Sequence, residues 1–115
     1  MSSDDRMIWD AATAARAWLD ASNGTEALEL TCRILKVTEE AGEAAQAWIG
    51  ALGQNPRKGV THTREEVAGE LADVAFTALV AIASLGVDPR LAMRRCTEKV
   101  AGRWEQPAGS VGGEV

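Results

Sequence analysis

The chain has 115 residues, of which 46% are hydrophobic and 25% are charged, a balance that excludes wholesale disorder and predicts one globular domain. Its formal net charge of -5 at pH 7 excludes a nucleic-acid partner gripped by its phosphate backbone, since that requires a basic face. An acidic protein can still bind an anionic nucleotide when metal cations stand between carboxylates and phosphates. A monomer of this length has a modest core, so we expect partner subunits to supply part of the burial.

The sequence predicts neither a signal peptide nor a membrane span. Residues 1–6 are polar and acidic, unlike a secretory signal. The longest uncharged stretch, residues 74–87, is too short to cross a bilayer and is interrupted by Gly86, so it reads as a core helix. Cys32 and Cys96 are far apart and lack a CxxC spacing. We therefore expect two reduced, partly buried thiols in a cytoplasmic protein.

The first half of the chain predicts two helices. The first spans about residues 4–21 and is stopped by Asn23-Gly24, because both residues tolerate left-handed backbone geometry. Thr25 is expected to cap the second helix, which continues to about residue 52. Both helices carry apolar residues at three- to four-residue spacing. These positions are Ile8, Ala11, Ala12, Ala15, Trp18 and Leu19 in the first helix, and Leu28, Cys32, Leu35, Ala44, Ala47 and Trp48 in the second.

The second half predicts a loop and two further helices. Residues 53–61 form a loop by composition, and Thr63 with Glu66 makes a capping box that opens the third helix. Residues 74–85 are apolar all round, which predicts burial on every side, as in an oligomer. Asp88-Pro89 begins the fourth helix, which reaches about residue 104. We expect a single all-α domain over residues 1–104 and a flexible glycine-rich tail over residues 105–115.

Two acidic pairs stand out on the predicted helices. Glu40 and Glu43 are three residues apart on the second helix, and Glu70 and Asp73 have the same spacing on the third, so each pair shares a helix face. If the two helices pack antiparallel, the pairs face each other and repel strongly unless water or divalent cations fill the space. Oxygen ligands of this kind suit magnesium or manganese better than zinc.

The alternative is that these carboxylates are ordinary solvated helix faces. The joint appearance of the two pairs favours a metal site, and so does the position of Glu70 and Asp73 immediately before the most apolar stretch of the chain. A di-iron carboxylate bundle is excluded, because it requires two Glu-x-x-His motifs and the single histidine, His62, lies in the loop.

The sequence resembles the MazG-like family of all-α nucleoside triphosphate pyrophosphohydrolases, whose pattern is EExxE followed after a variable gap by ExxD. Residues 36–43, KVTEEAGE, and residues 70–74, ELADV, carry the likeness. Residues 86–89 are similar to the start of the family's last helix. Residues 55–63 are similar to a loop in the short actinobacterial type of these proteins. The likeness covers roughly residues 11–104.

The resemblance implies a four- to five-helix bundle completed by oligomerisation into a homodimer or homotetramer. It also implies hydrolysis between the α- and β-phosphates of a nucleotide, with Mg²⁺ or Mn²⁺ as cofactor. By motif, Glu40, Glu43, Glu70 and Asp73 are the metal ligands. Glu39 is expected to hold a further metal or to orient the attacking water.

The predicted substrate contacts are less sharply defined. Many relatives carry KxxxNxxRW on the last helix, and here Cys96 and Val100 replace the Lys and the Asn, while Arg103 and Trp104 match. Lys99, one turn from Arg103, is expected to substitute. Other candidates have competing interpretations: Lys36 as a phosphate contact or an ion-pair partner of Glu40, Arg57 and Lys58 as a flap over the phosphates or a solvated loop, and Trp48 as a base-stacking or a core residue.

Three functions remain open from the sequence. The leading one is a magnesium-dependent nucleoside triphosphate pyrophosphohydrolase that cleans the nucleotide pool. A second is a non-catalytic helical oligomer that binds nucleotide or a protein partner. A third keeps the chemistry but changes the substrate to phosphoribosyl-ATP or an alarmone.

Overall fold

The computed structural model describes residues 2–104 as four helices and no strand: α1 (Ser3–Asn23), α2 (Ala27–Leu52), α3 (Arg64–Ser84) and α4 (Pro89–Trp104). The predicted all-α fold is confirmed. The predicted tail, residues 105–115, lies outside the described residues.

Local signals at the helix ends mostly operate as expected. Glu66 N donates to Thr63 Oγ1 at 3.1 Å and Thr63 N donates to Glu66 Oε1 at 2.9 Å, which completes the predicted capping box. Asp88 Oδ1 accepts a 3.0 Å hydrogen bond from Arg90 N at the start of α4. The cap predicted at Thr25 is wrong. The N-cap of α2 is the next residue, Glu26, and its side chain makes no capping hydrogen bond.

The helices α2 and α3 form an antiparallel hairpin. The Arg64 guanidinium lies 5.5 Å from the centre of the Trp48 ring, while Glu43 near the middle of α2 approaches Glu70 further along α3. The contacts therefore run in opposite directions along the two helices. Helix α1 packs on the distal half of α3, where Ala12, Leu79 and Val80 form the core.

Part of the predicted burial is absent from the single chain. In α3 the segment 79–84 is buried except for half-buried Ile82, but Phe76 and Leu85 are exposed, so one chain does not enclose this helix on every side. The expectation of partly buried thiols is wrong, since both Cys32 and Cys96 are exposed. On α2 the inward position belongs instead to Arg33, the neighbour of Cys32.

Among the described helices, α3 alone is long and apolar enough to cross a membrane, judged by length and composition. The core helix of a soluble protein passes the same test. Even the least charged 18-residue stretch of α3 contains Glu70 and Asp73, and carboxylates are costly in a bilayer. This finding is therefore weak support for a membrane location.

Arg33 connects three helices through a buried ion-pair network. Its side chain is only 4% exposed, and it donates from Nη1 to Asp20 Oδ1 at 2.7 Å and from Nε to Glu29 Oε2 at 2.8 Å. It also donates to Gly24 O at 2.9 Å and to Ser84 Oγ at 3.2 Å. Through these four hydrogen bonds the guanidinium ties α1, the turn after it, α2 and the end of α3 together.

This network predicts acid sensitivity. The hydrogen bonds from Arg33 lower the pKa of both Asp20 and Glu29 below their ordinary values of 3.8 and 4.5. The unfolded chain then binds more protons than the folded one, so this stabilisation is complete above the ordinary values and is lost as the pH falls through the folded ones. We expect the urea midpoint to fall steadily below about pH 5. A paired Asp20→Asn, Glu29→Gln variant should lose less stability over that range, and an unchanged slope would contradict the prediction.

Candidate metal centre

Three carboxylates from the two helices of the hairpin converge. Glu40, Glu43 and Glu70 each offer an oxygen, and these oxygens lie within 4.8 Å of one another. The three-residue spacing on α2 puts Glu40 and Glu43 on one face, and antiparallel packing brings Glu70 of α3 opposite them. The structure therefore brings together three of the four ligands suggested by the resemblance.

The other two acidic residues of the motif stand at the edge of this group. Asp73, one turn after Glu70, lies near enough for its charge to act on Glu40. Glu39 faces Lys36 instead, at 3.0 Å from Nζ, and Lys36 also approaches Glu40 at 3.8 Å. The ion pair considered for Lys36 is thus present, and a phosphate contact by Lys36 and a catalytic role for Glu39 stay predictions.

The electrostatics of the cluster indicate an excess of negative charge. The pKa of Glu40 is raised above its ordinary value, first by burial and then by the charge of Glu43, with a smaller contribution from Asp73. Lys36 acts in the opposite direction and is the only cation in this balance. Because Glu40 holds its proton more tightly in the folded chain, its ionisation destabilises the fold as the pH rises through the raised pKa.

The donor set fits a small hard cation. All donors are carboxylate oxygens, which magnesium and manganese prefer. At magnesium–oxygen distances of about 2.1 Å, adjacent ligand oxygens of an octahedral ion lie about 3 Å apart and opposite ones about 4.2 Å apart. Oxygens within 4.8 Å of one another therefore reach one ion through side-chain movements of about 1–2 Å. No cysteine or histidine belongs to the group, which argues against zinc.

We expect Glu40→Gln to raise the melting temperature by a few degrees in EDTA, because the substitution removes a charge from a repulsive cluster. If the cluster binds Mg²⁺, the wild type should melt at a higher temperature than Glu40→Gln at saturating Mg²⁺, because only the wild type then has all its carboxylates to bind the ion in the folded state. Thermal unfolding with and without Mg²⁺ measures both effects. The control is Glu65→Gln, an exposed glutamate on α3 outside the cluster. Equal shifts in the two variants would contradict the prediction.

An apolar groove of about 520 Å³ lies on the other side of the hairpin and is lined by Ala41, Ala45, Trp48, Leu71 and others. At 100° per residue, Trp48 points away from the side of α2 that carries Glu43. Trp48 is 40% exposed, and the Arg64 guanidinium lies over its ring. A base stacked on Trp48 would therefore lie across the hairpin from the carboxylates of the same chain. Stacking by Trp48 stays a prediction.

The remaining predicted substrate contacts lie in the loop and on α4, outside the two helix segments that carry the carboxylates. Arg57 and Lys58 are in the loop between α2 and α3, and Lys58 lines a second cavity there. Lys99 and Arg103 are exposed on the last turns of α4. Within residues 2–104 none of these four forms an ion pair.

Sequence reasoning missed two features near the site. The contact of the Arg64 guanidinium with the Trp48 ring depends on how α2 and α3 pack against each other. No local sequence pattern encodes that packing. The polar cavity beneath the loop depends likewise on the path of residues 53–63. His62, which the sequence favours as a loop or cap residue over a catalytic base, lines this cavity.

Four helices with paired carboxylates on the two arms of an antiparallel hairpin define a MazG-like all-α pyrophosphohydrolase. Within that class, residues 5–100 match the family model described as phosphoribosyl-ATP pyrophosphohydrolase. The chain belongs to this family, and the resemblance seen in the sequence is confirmed. A search of curated proteins and a search of solved structures find no match.

Proposed function

We propose that the protein is a cytoplasmic, Mg²⁺-dependent nucleoside triphosphate pyrophosphohydrolase that cleans the nucleotide pool, releasing a nucleoside monophosphate and pyrophosphate. One observation carries the proposal. The chain belongs to a pyrophosphohydrolase family, and three carboxylates from facing helices place oxygens within 4.8 Å of one another. Carboxylate oxygens of this kind, together with substrate phosphate oxygens, are ligands that Mg²⁺ takes in phosphate-processing sites.

In this proposal Glu40, Glu43, Glu70 and Asp73 hold the cation. A bound Mg²⁺ would neutralise phosphate oxygens and lower the pKa of a coordinated water. The water oxygen adds to one phosphorus of the α–β anhydride, and the bond from that phosphorus to the bridging oxygen breaks. Glu39, exposed beside the cluster, accepts the water's proton and passes it to solvent. The chain needs no nucleophilic side chain for this reaction.

A second substrate is favoured by the family match itself, whose description names phosphoribosyl-ATP. Hydrolysis of phosphoribosyl-ATP breaks the same α–β bond and releases the same pyrophosphate. The two candidates therefore share the acidic cluster and differ in what the protein contacts beyond the phosphates.

We also propose that the chain works as a homodimer or homotetramer. Large apolar side chains are exposed in the single chain, which favours an apolar interface between copies. The most exposed include Leu28 at 76%, Trp18 at 68%, Leu35 and Leu52 at 59%, and Leu71 at 55%. Light scattering coupled to size exclusion should give a mass of two or four chains, and a monomer at micromolar concentration would contradict this part of the proposal.

The decisive experiment is a substrate panel with product analysis. Canonical and modified nucleoside triphosphates, phosphoribosyl-ATP and an alarmone are incubated with Mg²⁺, and the products are resolved by chromatography. Release of pyrophosphate and a monophosphate product from at least one substrate supports the proposal, and the fastest substrate identifies the physiological class.

The non-catalytic alternative predicts a different outcome. If no member of the panel is hydrolysed, while nucleotides bind and Glu43→Gln raises thermal stability with or without metal, the protein is a binding module. Release of inorganic phosphate alone would show cleavage of another bond and would contradict the proposed reaction.

A further inference from the structure

A second cavity lies beneath the loop between α2 and α3 and has a distinct chemistry. This cavity, here called the loop pocket, measures about 370 Å³. None of its lining residues is acidic. Its polar lining consists of Gln46, Gln54, Asn55, Lys58, Thr61 and His62.

The loop pocket is held open by backbone hydrogen bonds. Thr61 N donates to Gly50 O at 2.9 Å, which ties the end of the loop to the last turns of α2. Lys58 N and Gly59 N both donate to Asn55 O, at 3.1 and 2.9 Å, and close a tight turn. The pocket is therefore organised by the chain itself before any ligand arrives.

Gly50 allows the loop to approach the helix closely. A methyl group at this position would overlap Thr61 Oγ1 and His62 Nδ1, so a larger residue would displace the imidazole from the pocket. Thr61 Oγ1 and His62 Nδ1 share a hydrogen bond of 2.9 Å. When the hydroxyl donates, the imidazole proton resides on Nε2, which becomes a hydrogen-bond donor.

The loop pocket adjoins the acidic cluster along one side of α2. Glu43, Gln46 and Gly50 occupy successive turns on that side, and the rise per residue places Gly50 about 10 Å along the axis from Glu43. The apolar groove lies on the other side of the hairpin. A ligand that extends from the carboxylates towards the loop therefore meets the amide of Gln46 first and then the pocket.

The lining offers donors and positive charge. Within residues 2–104, Lys58 Nζ has no ion-pair partner. The Asn55 side-chain oxygen accepts from Arg57 N at 3.0 Å, which leaves its amide nitrogen as the group available to a ligand. Glu66 lies close enough to His62 for the imidazole to contribute to lowering its pKa, but no acidic residue lines the pocket itself. A lysine, an imidazole and several amides in such a lining suit an anion with many acceptor oxygens.

We propose that the loop pocket binds the β- and γ-phosphates of the substrate, the part that leaves as pyrophosphate, with Lys58 and His62 as direct contacts. This inference rests on the proposed function and adds the division of the site: carboxylates take the metal side of the anhydride, and the loop takes the departing diphosphate. The predicted contact by Lys58 then has a location and a partner group.

The test uses Mg²⁺-pyrophosphate as the probe and His62 as the reporter. His62 is the only histidine in the chain, so its imidazole gives a single set of NMR signals. Starting from protein saturated with Mg²⁺, pyrophosphate should shift these signals saturably. A nucleoside monophosphate with Mg²⁺ should not, because it lacks the β- and γ-phosphates.

Calorimetry with variants supplies the second measurement. Lys58→Ala should weaken pyrophosphate binding about tenfold, the effect of losing one charged contact worth about 1.4 kcal/mol. Arg94→Ala on exposed α4 makes the same charge change and should leave the affinity unchanged. Both positions are exposed, so neither variant endangers folding.

The outcomes separate this inference from the proposed function. If the substrate panel shows hydrolysis but pyrophosphate binds without moving the His62 signals or depending on Lys58, the loop pocket is not the leaving-group site although the enzyme is. Failure of pyrophosphate to bind at millimolar concentration also overturns the inference. Saturable His62 shifts with a Lys58-dependent affinity support it, whichever nucleotide proves to be the substrate.

Discussion

Glu70→Gln is expected to lower pyrophosphate release at least about a hundredfold, since changes to the groups that merely support a metal ligand typically cost ten- to a hundredfold. Glu70 is the sole member from α3 of the three-carboxylate group. Its amide counterpart keeps the shape of the side chain but removes the charge that, in the proposed function, holds the cation against α2. Steady-state kinetics on the best substrate, across a range of Mg²⁺ concentrations, measure the loss.

The magnesium dependence distinguishes a ligand from a residue that only supports the fold. A ligand substitution should raise the Mg²⁺ concentration needed for half-maximal rate, and excess Mg²⁺ should restore part of the activity. Glu65→Gln on the same helix is the matched control and should keep wild-type kinetics. Wild-type activity in folded Glu70→Gln protein would show that the cluster is not the metal site.

The acidic cluster is accessible to sequence reasoning because it depends on local rules. A three-residue spacing within a helix places Glu40 beside Glu43 whatever the tertiary structure, and the capping box at Thr63 fixes where α3 starts. One assumption, that α2 and α3 pack antiparallel across a short loop, then suffices to bring Glu70 opposite Glu40 and Glu43. Each element has an independent signal, and the signals agree.

The parts that escaped prediction depend on tertiary contacts. Helical periodicity already places Trp48 about 140° around α2 from Glu43, but the line of contact with α3, which decides that the two residues lie on opposite sides of the hairpin, is a tertiary feature. Arg33 was passed over because a charged residue usually lies on the surface. Here Glu29, one turn earlier, and Asp20 on another helix jointly satisfy it, and only the first of these partners is visible as a spacing.

That network is also the strongest expected determinant of stability. Arg33→Ala removes the hydrogen bonds that link α1, α2 and the end of α3, and leaves Asp20 and Glu29 close together without their shared cation. Removing one partner of a buried ion pair typically costs 3–5 kcal/mol. Because the two carboxylates are 26% and 21% exposed, water compensates in part, and we expect a loss of about 2–3 kcal/mol in the free energy of unfolding.

Arg16→Ala provides the matched comparison. Arg16 pairs with the same Asp20 at 2.9 Å, but its side chain is 38% exposed, and exposed ion pairs contribute at most about 1 kcal/mol. Urea unfolding of both variants at one protein concentration tests the difference, and Arg33→Met separates lost packing from lost charge. If Arg33→Ala costs no more than Arg16→Ala, the three helices are held together by their small apolar core alone. A clearly larger cost would show that the buried guanidinium fixes α1 and the end of α3 against α2, the helix that carries Glu40 and Glu43.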